Sequence, residues 1–316
     1  MTNGAATGRL PLTFATRAGN QSFEQALQIA QAAAAAGFSG VSFSDRPHDP
    51  VLDGWTLATA VAARTERIRF FHTTLNLPYR FPAVLAKEAA TFDIISNGRL
   101  DLCLGAGGEA NRALYDSIGV PLAAPGERLT DLEDAVTIMR GLWANERFSY
   151  KGRVAKVEDA VGEPKPVQRP IPIWIGARMP RSLRQVGRFA DGFVKNGGWG
   201  SVEELRELNG AIDAAAVKAG RDPRSIRRLL NGAAAYVAKD AADAAEFRAR
   251  GARQTSGARS GQEASGLIGT VAEIIESVKA YRAAGVDTFV VNFPPQQTLA
   301  QIGRFGAEVI PEAASL

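Results

Sequence analysis

The sequence predicts an α/β fold, the (βα)8 barrel, in which eight parallel strands alternate with helices around a closed sheet. Short apolar runs alternate with segments of helical periodicity along the whole chain, which is the pattern of parallel βα units. Eight such runs can be counted, and a length of 316 residues is normal for one barrel of this kind. Because no change in composition marks a boundary, we expect a single domain over residues 1–316.

Each predicted strand is a short apolar run bounded by glycine or polar residues. The eight runs cover residues 9–16, 40–44, 68–74, 100–104, 171–175, 192–195, 229–238 and 288–291. Helix starts are indicated where a Ser or Thr is followed three residues later by Glu or Gln, because the two side chains can cap the first turn reciprocally. This pattern begins at Ser22, Thr130, Ser201 and Thr270.

Two connections are longer than the turns of a minimal barrel. Residues 145–170 are polar and contain glycine and proline, which indicates a hairpin-like excursion followed by a connector. Residues 240–266 are rich in Ala, Arg, Gly and Ser and have little apolar content. We interpret this second segment as a mobile insertion loop.

The composition excludes several classes of protein. Cys103 is the one cysteine and there are two histidines, so neither a disulfide framework nor a metal cluster is expected, and a reducing compartment such as the cytoplasm is favoured. No apolar run approaches the roughly 20 residues of a membrane span, and residues 1–8 lack the apolar core of a signal peptide. The arginines are not interleaved with aromatic residues, which argues against nucleic-acid binding, while a net charge of +4 suits an anionic small molecule.

In a (βα)8 barrel the site lies at the carboxyl ends of the strands, so the loops that follow them should converge on one mouth. Five of these loops are polar or rich in glycine, which suits a large planar ligand with an anionic tail. They contribute Asp45, Arg46 and His48; His72, Thr73 and Thr74; Gly105, Ala106, Gly107, Gly108 and Glu109; Gly176, Ala177 and Arg178; and Asn196 and Gly197. The backbone at Gly176 and Ala177 and the helix start after it would offer N–H donors to a phosphate, with Arg178 adding charge.

Each of these segments also has a purely structural interpretation. The glycines before Glu109 could form only a tight turn ahead of a surface carboxylate, and Gly176 could only end a strand beside solvated arginines. His48 fits a surface histidine as well as an acid or base, and His72 fits a hydrogen-bonded structural histidine. The chain has no Gly-x-Gly-x-x-Gly after its first strand and no Gly-Lys-Ser phosphate loop. The sequence therefore contains neither of these nucleotide-binding motifs, and they do not identify a cofactor.

Six segments, taken in order, resemble the bacterial luciferase-like superfamily. They are GFSGVSFSD (37–45), LPYRFP (77–82), NGRLDLCLGAG (97–107), EPKPVQRPIPIWIG (163–176), ADGF (190–193) and AGVDTFVV (284–291). The resemblance covers nearly the whole chain and is greatest to oxidoreductases that use the deazaflavin coenzyme F420. Other members of the superfamily use FMN in two-component monooxygenases.

The resemblance implies roles for individual residues. Glu109 matches a glutamate that acts near the hydride-transfer site, the segment His72 to Thr74 matches a place where the family often has a non-proline cis peptide against the cofactor ring, and residues 176–178 match the loop that holds the cofactor phosphate. Many members read Ser-Asp-His where this chain has Ser44-Asp45-Arg46, and sugar-phosphate enzymes carry a Trp shortly after that His, near Pro50 here. Arginine cannot shuttle protons, so we do not transfer the sugar-phosphate activity and instead expect Arg46 to bind an anionic substrate or stabilise an oxyanion.

The expected function is hydride transfer between F420 and an organic substrate at the barrel mouth, with Glu109, Arg46 and His48 as candidate catalytic residues. An FMN-dependent monooxygenase supplied by a partner reductase is the alternative within the family. A non-catalytic flavin-binding protein of the same fold is a third hypothesis, which the missing histidine of the second strand keeps open. A homodimer is a further expectation, because family members are commonly dimers.

Overall fold

The computed structural model describes residues 10–19, 22–153, 156–195, 200–255 and 266–316, with only the backbone for residues 251–255. Eight strands form the barrel: β1 (Thr13–Arg17), β2 (Gly40–Phe43), β3 (Arg69–His72), β4 (Leu100–Gly105), β5 (Ile173–Ala177), β6 (Gly192–Lys195), β7 (Arg227–Val237) and β8 (Thr288–Asn292). Each strand pairs in parallel with its neighbour in the sequence, and β8 pairs in parallel with β1. The sheet is therefore closed, and the predicted (βα)8 barrel is confirmed.

Helices cover the outside of the barrel. They are α1 (Phe23–Ala35), α2 (Gly54–Ala62), α3 (Pro82–Ile95), α4 (Arg112–Ser117), α5 (Pro125–Ala144), α6 (Pro180–Phe189), α7 (Val202–Lys218), α8 (Ala241–Thr255), α9 (Val271–Ala283), α10 (Thr298–Arg304) and α11 (Ile310–Ala313), the last two joined by a π-helical turn, Phe305–Val309. No helix in the described ranges is long and apolar enough to cross a membrane.

Three of the four predicted helix caps are confirmed. The hydroxyls of Ser22, Ser201 and Thr270 each accept a hydrogen bond from the backbone N–H three residues further on. Thr130 is not a cap, because α5 already begins at Pro125 and the Thr130 hydroxyl donates to a carbonyl within that helix. A proline at the first position of a helix is the signal that should have outweighed the Thr130 pattern.

The interior of the barrel is filled with side chains. One buried layer is contributed by seven of the eight strands: Ala15, Phe71, Cys103, Trp174, Val194, Leu229 and Val290. The rings of Phe71 and Trp174 stack with centroids 6.1 Å apart, and burial raises the pKa of the Cys103 thiol. Because this layer closes the interior, a ligand has access only to the ends of the barrel.

The two long connections differ in how well they were predicted. The hairpin is confirmed, since Phe148–Lys151 pairs antiparallel with Lys156–Ala160. The expected loop at 240–266 instead contains helix α8, and the strand Gly266–Gly269 after it pairs in parallel with the end of β7. Phe247 stacks on the buried Tyr236 at 4.1 Å, so a few apolar contacts suffice to pack this helix. Residues 256–265 of the predicted loop lie outside the described residues.

Candidate active site

The mouth of the barrel is the rim formed by the carboxyl ends of the strands and the loops that follow them. At the carboxyl ends of β3 and β4, the two segments of the chain that follow these strands lie very close to each other. The Thr73–Thr74 peptide bond is cis, as the family resemblance implied. A Cβ at Gly105 would lie 2.5 Å from the Thr74 hydroxyl oxygen, so a larger residue would displace this segment. The short strand Leu75–Asn76 then pairs in parallel with the end of β4.

Asp45 ties the loop after β2 to the loop after β3. Its buried carboxylate accepts hydrogen bonds from the backbone N–H of Asn76 at 2.6 Å and from both terminal nitrogens of Arg80 at 2.7 and 2.8 Å. The Tyr115 hydroxyl in turn donates to the Asn76 side-chain oxygen at 2.9 Å. Since its oxygens are already engaged, Asp45 acts on the rim by holding the backbone in place.

His72 points away from the barrel interior, which its neighbour Phe71 occupies. Its ring lies between the sheet and the helices, stacked on Trp55 at 5.3 Å and next to Phe43 at 6.1 Å. Burial lowers the pKa of His72 to about 4, against raising contributions from Asp45 and the Gly54 backbone. Neither ring nitrogen reaches hydrogen-bond geometry with a described residue, so this is a neutral histidine packed behind the rim.

Glu109 follows the glycine turn after β4 and lies in the short helical turn Glu109–Asn111. Its side chain is 56% exposed and forms ion pairs with Arg112 and, at 3.4 Å, with the buried Arg128. The hydrogen bond from Arg112 is the largest cause that lowers the pKa of Glu109, and Arg128 lowers it further. Glu109 is therefore a carboxylate at neutral pH, and its arginine partners make it a weaker base than a free glutamate.

Only one residue of the glycine turn faces open space. A Cβ at Gly107, where φ is +80°, would lie 3.0 Å from carbon atoms of Pro78 and Leu122, and Ala106 packs against the core. At Gly108, by contrast, a Cβ would meet no atom within 4 Å. Gly108 is thus the position in this turn at which a ligand could approach the backbone.

The loop after β2 holds a small charged cluster. A terminal nitrogen of Arg46 lies 3.1 Å from Nε2 of His48, and Arg46 Nε lies 3.4 Å from the carboxylate of Asp49. Nε2 of His48 also lies 3.7 Å from the Asp49 carboxylate, so the three side chains form one cluster. The side chains of Arg46 and His48 remain solvent-accessible.

The end of β5 offers fewer backbone donors than the sequence predicted. The Ser182 hydroxyl oxygen accepts hydrogen bonds from the backbone N–H of Arg178 at 3.3 Å and of Met179 at 3.1 Å. Gly176 and Ala177 are paired with β6. The exposed side chain of Arg178 is therefore the group best placed to meet an anion there. Asn196 and Gly197, predicted for the next loop, lie outside the described residues.

Several contacts at the rim were not predicted from the sequence. Arg80, Asn76 and Tyr115 complete the Asp45 network, and no local pattern connects positions so far apart. Arg17 ends β1, one residue beyond the predicted strand. The alternation of Thr13 and Ala15 with Arg17 would have indicated it, because residues two apart share one face of a strand.

The described residues of the rim show no arrangement suited to a metal ion. Within the ranges that the structure describes, no three His, Cys, Asp or Glu side chains are grouped to hold one. The described part of the rim instead carries cationic side chains and an ionised carboxylate around exposed backbone. Such a rim can bind anionic organic groups and can accept a proton.

Comparison with known proteins identifies the family. The family model of the luciferase-like monooxygenases matches residues 9–288. An F420-dependent glucose-6-phosphate dehydrogenase of Microbacterium testaceum is 31% identical over 236 residues, covering 72% of this chain and 69% of the relative. The enzyme of the same name from Intrasporangium calvum is 27% identical over 304 residues, covering 87% and 90%.

Solved structures with low sequence identity share the fold. The coenzyme F420 dependent tetrahydromethanopterin reductase from Methanopyrus kandleri superposes with a TM-score of 0.83 at 19% identity, covering 96% of this chain and 99% of that one. Monooxygenase RslO1 from Streptomyces bottropensis superposes with a TM-score of 0.77 at 20% identity, covering 95% and 99%. Because the family model spans most of the sequence, the chain belongs to the luciferase-like monooxygenase family.

Proposed function

We propose that the protein is an oxidoreductase that transfers a hydride between coenzyme F420 and an organic substrate bound at the barrel mouth. The observation that carries this proposal is the 31% identity, over 72% of the chain, to a relative named as an F420-dependent dehydrogenase. The rim supports it independently, because it combines an open backbone position at Gly108 with cationic side chains and an ionised Glu109.

The residues present fit an anionic deazaflavin. Thr73, Thr74, Gly108 and Arg178 are the residues that would hold it, since they line the rim at β3, β4 and β5. Coenzyme F420 supplies a ring carbon that can take up or release a hydride. The phosphate would depend on the Arg178 side chain, because Ser182 already occupies two of the nearby backbone donors.

The protein's own chemical contribution is to move a proton and to hold charge. Glu109 is ionised and would accept the proton that an alcohol substrate loses when a hydride leaves it, while its two arginine partners lower the pKa of its carboxyl and so weaken it as a base. Arg46 remains charged at any working pH and would orient an anionic substrate or stabilise a developing oxyanion. His48 lies within hydrogen-bond distance of Arg46, so it would tune the position of that guanidinium.

An FMN-dependent monooxygenase is the second candidate. The family to which the chain belongs is described as luciferase-like monooxygenase, and such an enzyme would receive reduced FMN from a partner reductase. Two assays separate the candidates: bleaching of the F420 absorbance during a screen of alcohol substrates, and oxygen consumption with reduced FMN. We expect turnover in the first assay. Oxygen consumption with FMN and no turnover with F420 would overturn the proposal.

A homodimer and a cytoplasmic location belong to the same proposal. The buried thiol of Cys103 is compatible with a reducing compartment. Light scattering coupled to gel filtration measures the oligomeric state directly, and a mass of 33.5 kDa in solution would contradict the dimer.

A further inference from the structure

A polar cleft opens on the side of the rim where β1 meets β8. It has a volume of about 670 Å³ and lies between α1, the end of β1 and the segment that follows β8. Its lining includes one guanidinium, one hydroxyl and five side-chain amides: Arg17, Thr298, Gln25, Gln28, Asn292, Gln296 and Gln297. No Asp or Glu side chain lines it, so the cleft carries a net positive charge.

Arg17 supplies the charged group of this cleft. It shares a strand face with Ala15, which lies in the interior layer, and it is the last residue of β1, so it projects at the rim. In the described part of the chain its guanidinium makes no hydrogen bond and no ion pair within 4 Å. The Arg17 side chain is exposed to solvent, and the partial burial of its guanidinium lowers its pKa, against a raising contribution from Asp49 and with a further lowering by Arg46.

The amides add hydrogen-bonding capacity that the protein leaves unused. The side-chain oxygen of Asn292, at the end of β8, is buried and has no partner among the described residues. The side-chain amides of Gln25 and Gln28 on α1 are also without a described partner. An amide oxygen needs a donor such as a hydroxyl, whereas a guanidinium needs an acceptor such as a carboxylate or a phosphate.

The cleft lies across the mouth from the predicted site of the cofactor phosphate. In a closed barrel of eight strands, β1 and β5 are four strands apart and therefore opposite each other. Arg17 ends β1, and Arg178 follows β5. A ligand with one group at each position would span the mouth of the barrel.

We propose that Arg17 and the amides of this cleft bind the oxyanion end of a hydroxylated substrate, either a carboxylate or a phosphate. The identification of the bound molecule as the substrate rests on the proposed function. The binding of an oxyanion at this site does not. The oxyanion would accept hydrogen bonds from the Arg17 guanidinium, and the hydroxyls would donate to the amide oxygens.

Calorimetric titration of the full-length protein tests this site with gluconate, inorganic phosphate and neutral sorbitol at constant ionic strength. We expect saturable binding of gluconate, phosphate or both, and none of sorbitol. Arg17→Gln should weaken that binding about tenfold to a hundredfold, because it removes a charge-assisted contact. Arg224→Gln removes the same charge from an exposed pair with Asp222 at the other end of the barrel, and should leave binding unchanged.

The same variants are titrated with F420, so that failure of this site and failure of the cofactor assignment can be distinguished. If Arg17→Gln binds the oxyanions as tightly as wild type, or if wild type binds neither of them, the proposal is overturned. If binding depends on Arg17 but wild type does not bind F420, the oxyanion site is supported and the proposed function fails.

Discussion

The contact between Asp45 and Arg80 should dominate the stability of the rim. Asp45→Asn keeps the shape of the side chain but replaces a carboxylate that accepts four hydrogen bonds, from the backbone N–H and side-chain amide of Asn76 and from two nitrogens of Arg80. The amide retains one acceptor oxygen and turns a donor toward Arg80. The side chains are only 4% and 15% exposed, so the guanidinium is left largely uncompensated.

The expected cost follows from these contacts. Losing one to two charge-assisted bonds and the partner of a mostly buried guanidinium should lower the free energy of unfolding by about 3 kcal/mol. Urea denaturation followed by circular dichroism measures it. Arg80→Gln should cost a similar amount, and the double variant should cost much less than the sum of the two, because the pair is one interaction.

A matched control separates the loss of the Asp45–Arg80 contact from the general effect of replacing an aspartate by asparagine. Asp222→Asn breaks an exposed pair with Arg224 and should leave the unfolding free energy close to that of wild type. If Asp45→Asn is no more destabilising than Asp222→Asn, or if the two single costs simply add, then Asp45 does not clamp the two loops together and the description of the rim is wrong.

Three further predictions address the glycine turn, the proton acceptor and the buried histidine. Glu109→Gln should lower kcat about 100-fold with little change in F420 affinity; a loss of affinity alone would contradict its role. Gly105→Ala should destabilise the protein by about 1–3 kcal/mol, because its Cβ would clash with the Thr74 hydroxyl, whereas Gly108→Ala should be neutral by urea denaturation. His72 has a folded pKa of about 4, below its unfolded value of 6.5, so the unfolded chain binds more protons between these values. Stability should therefore fall by about 3 kcal/mol as the pH drops from 6.5 to 4, and His72→Phe should remove this slope while His48→Gln keeps it.

The barrel could be predicted from the sequence because strand and helix patterns are local. Alternation of apolar runs and helical segments identified all eight strands, with ends that differ by a few residues from those observed. Helix α8 was missed for a physical reason. Its low apolar content indicated a loop, but Ala244 and Phe247 are enough to pack it against Tyr236.

The sequence predicted which loops form the candidate site, but it did not predict the contacts between their side chains. Arg112 is three residues from Glu109 and could have been read as its partner, whereas Arg128 reaches Glu109 only through the packing of α5. The Ser182 hydroxyl accepts hydrogen bonds from two backbone N–H groups in the segment where the sequence predicted donors for a phosphate. His72 occurs at a strand end, and only the register of β3 shows that its ring faces the helices.

Equilibrium titration of the purified protein with F420, and separately with FMN, tests the central claim most directly. Fluorescence or absorbance should report saturable binding of one F420 per chain at micromolar concentration, with FMN weaker by about tenfold or more. Arg178→Gln should weaken F420 binding by about tenfold, because that guanidinium is the charged group at the end of β5. Micromolar binding of FMN together with no binding of F420 would contradict the account.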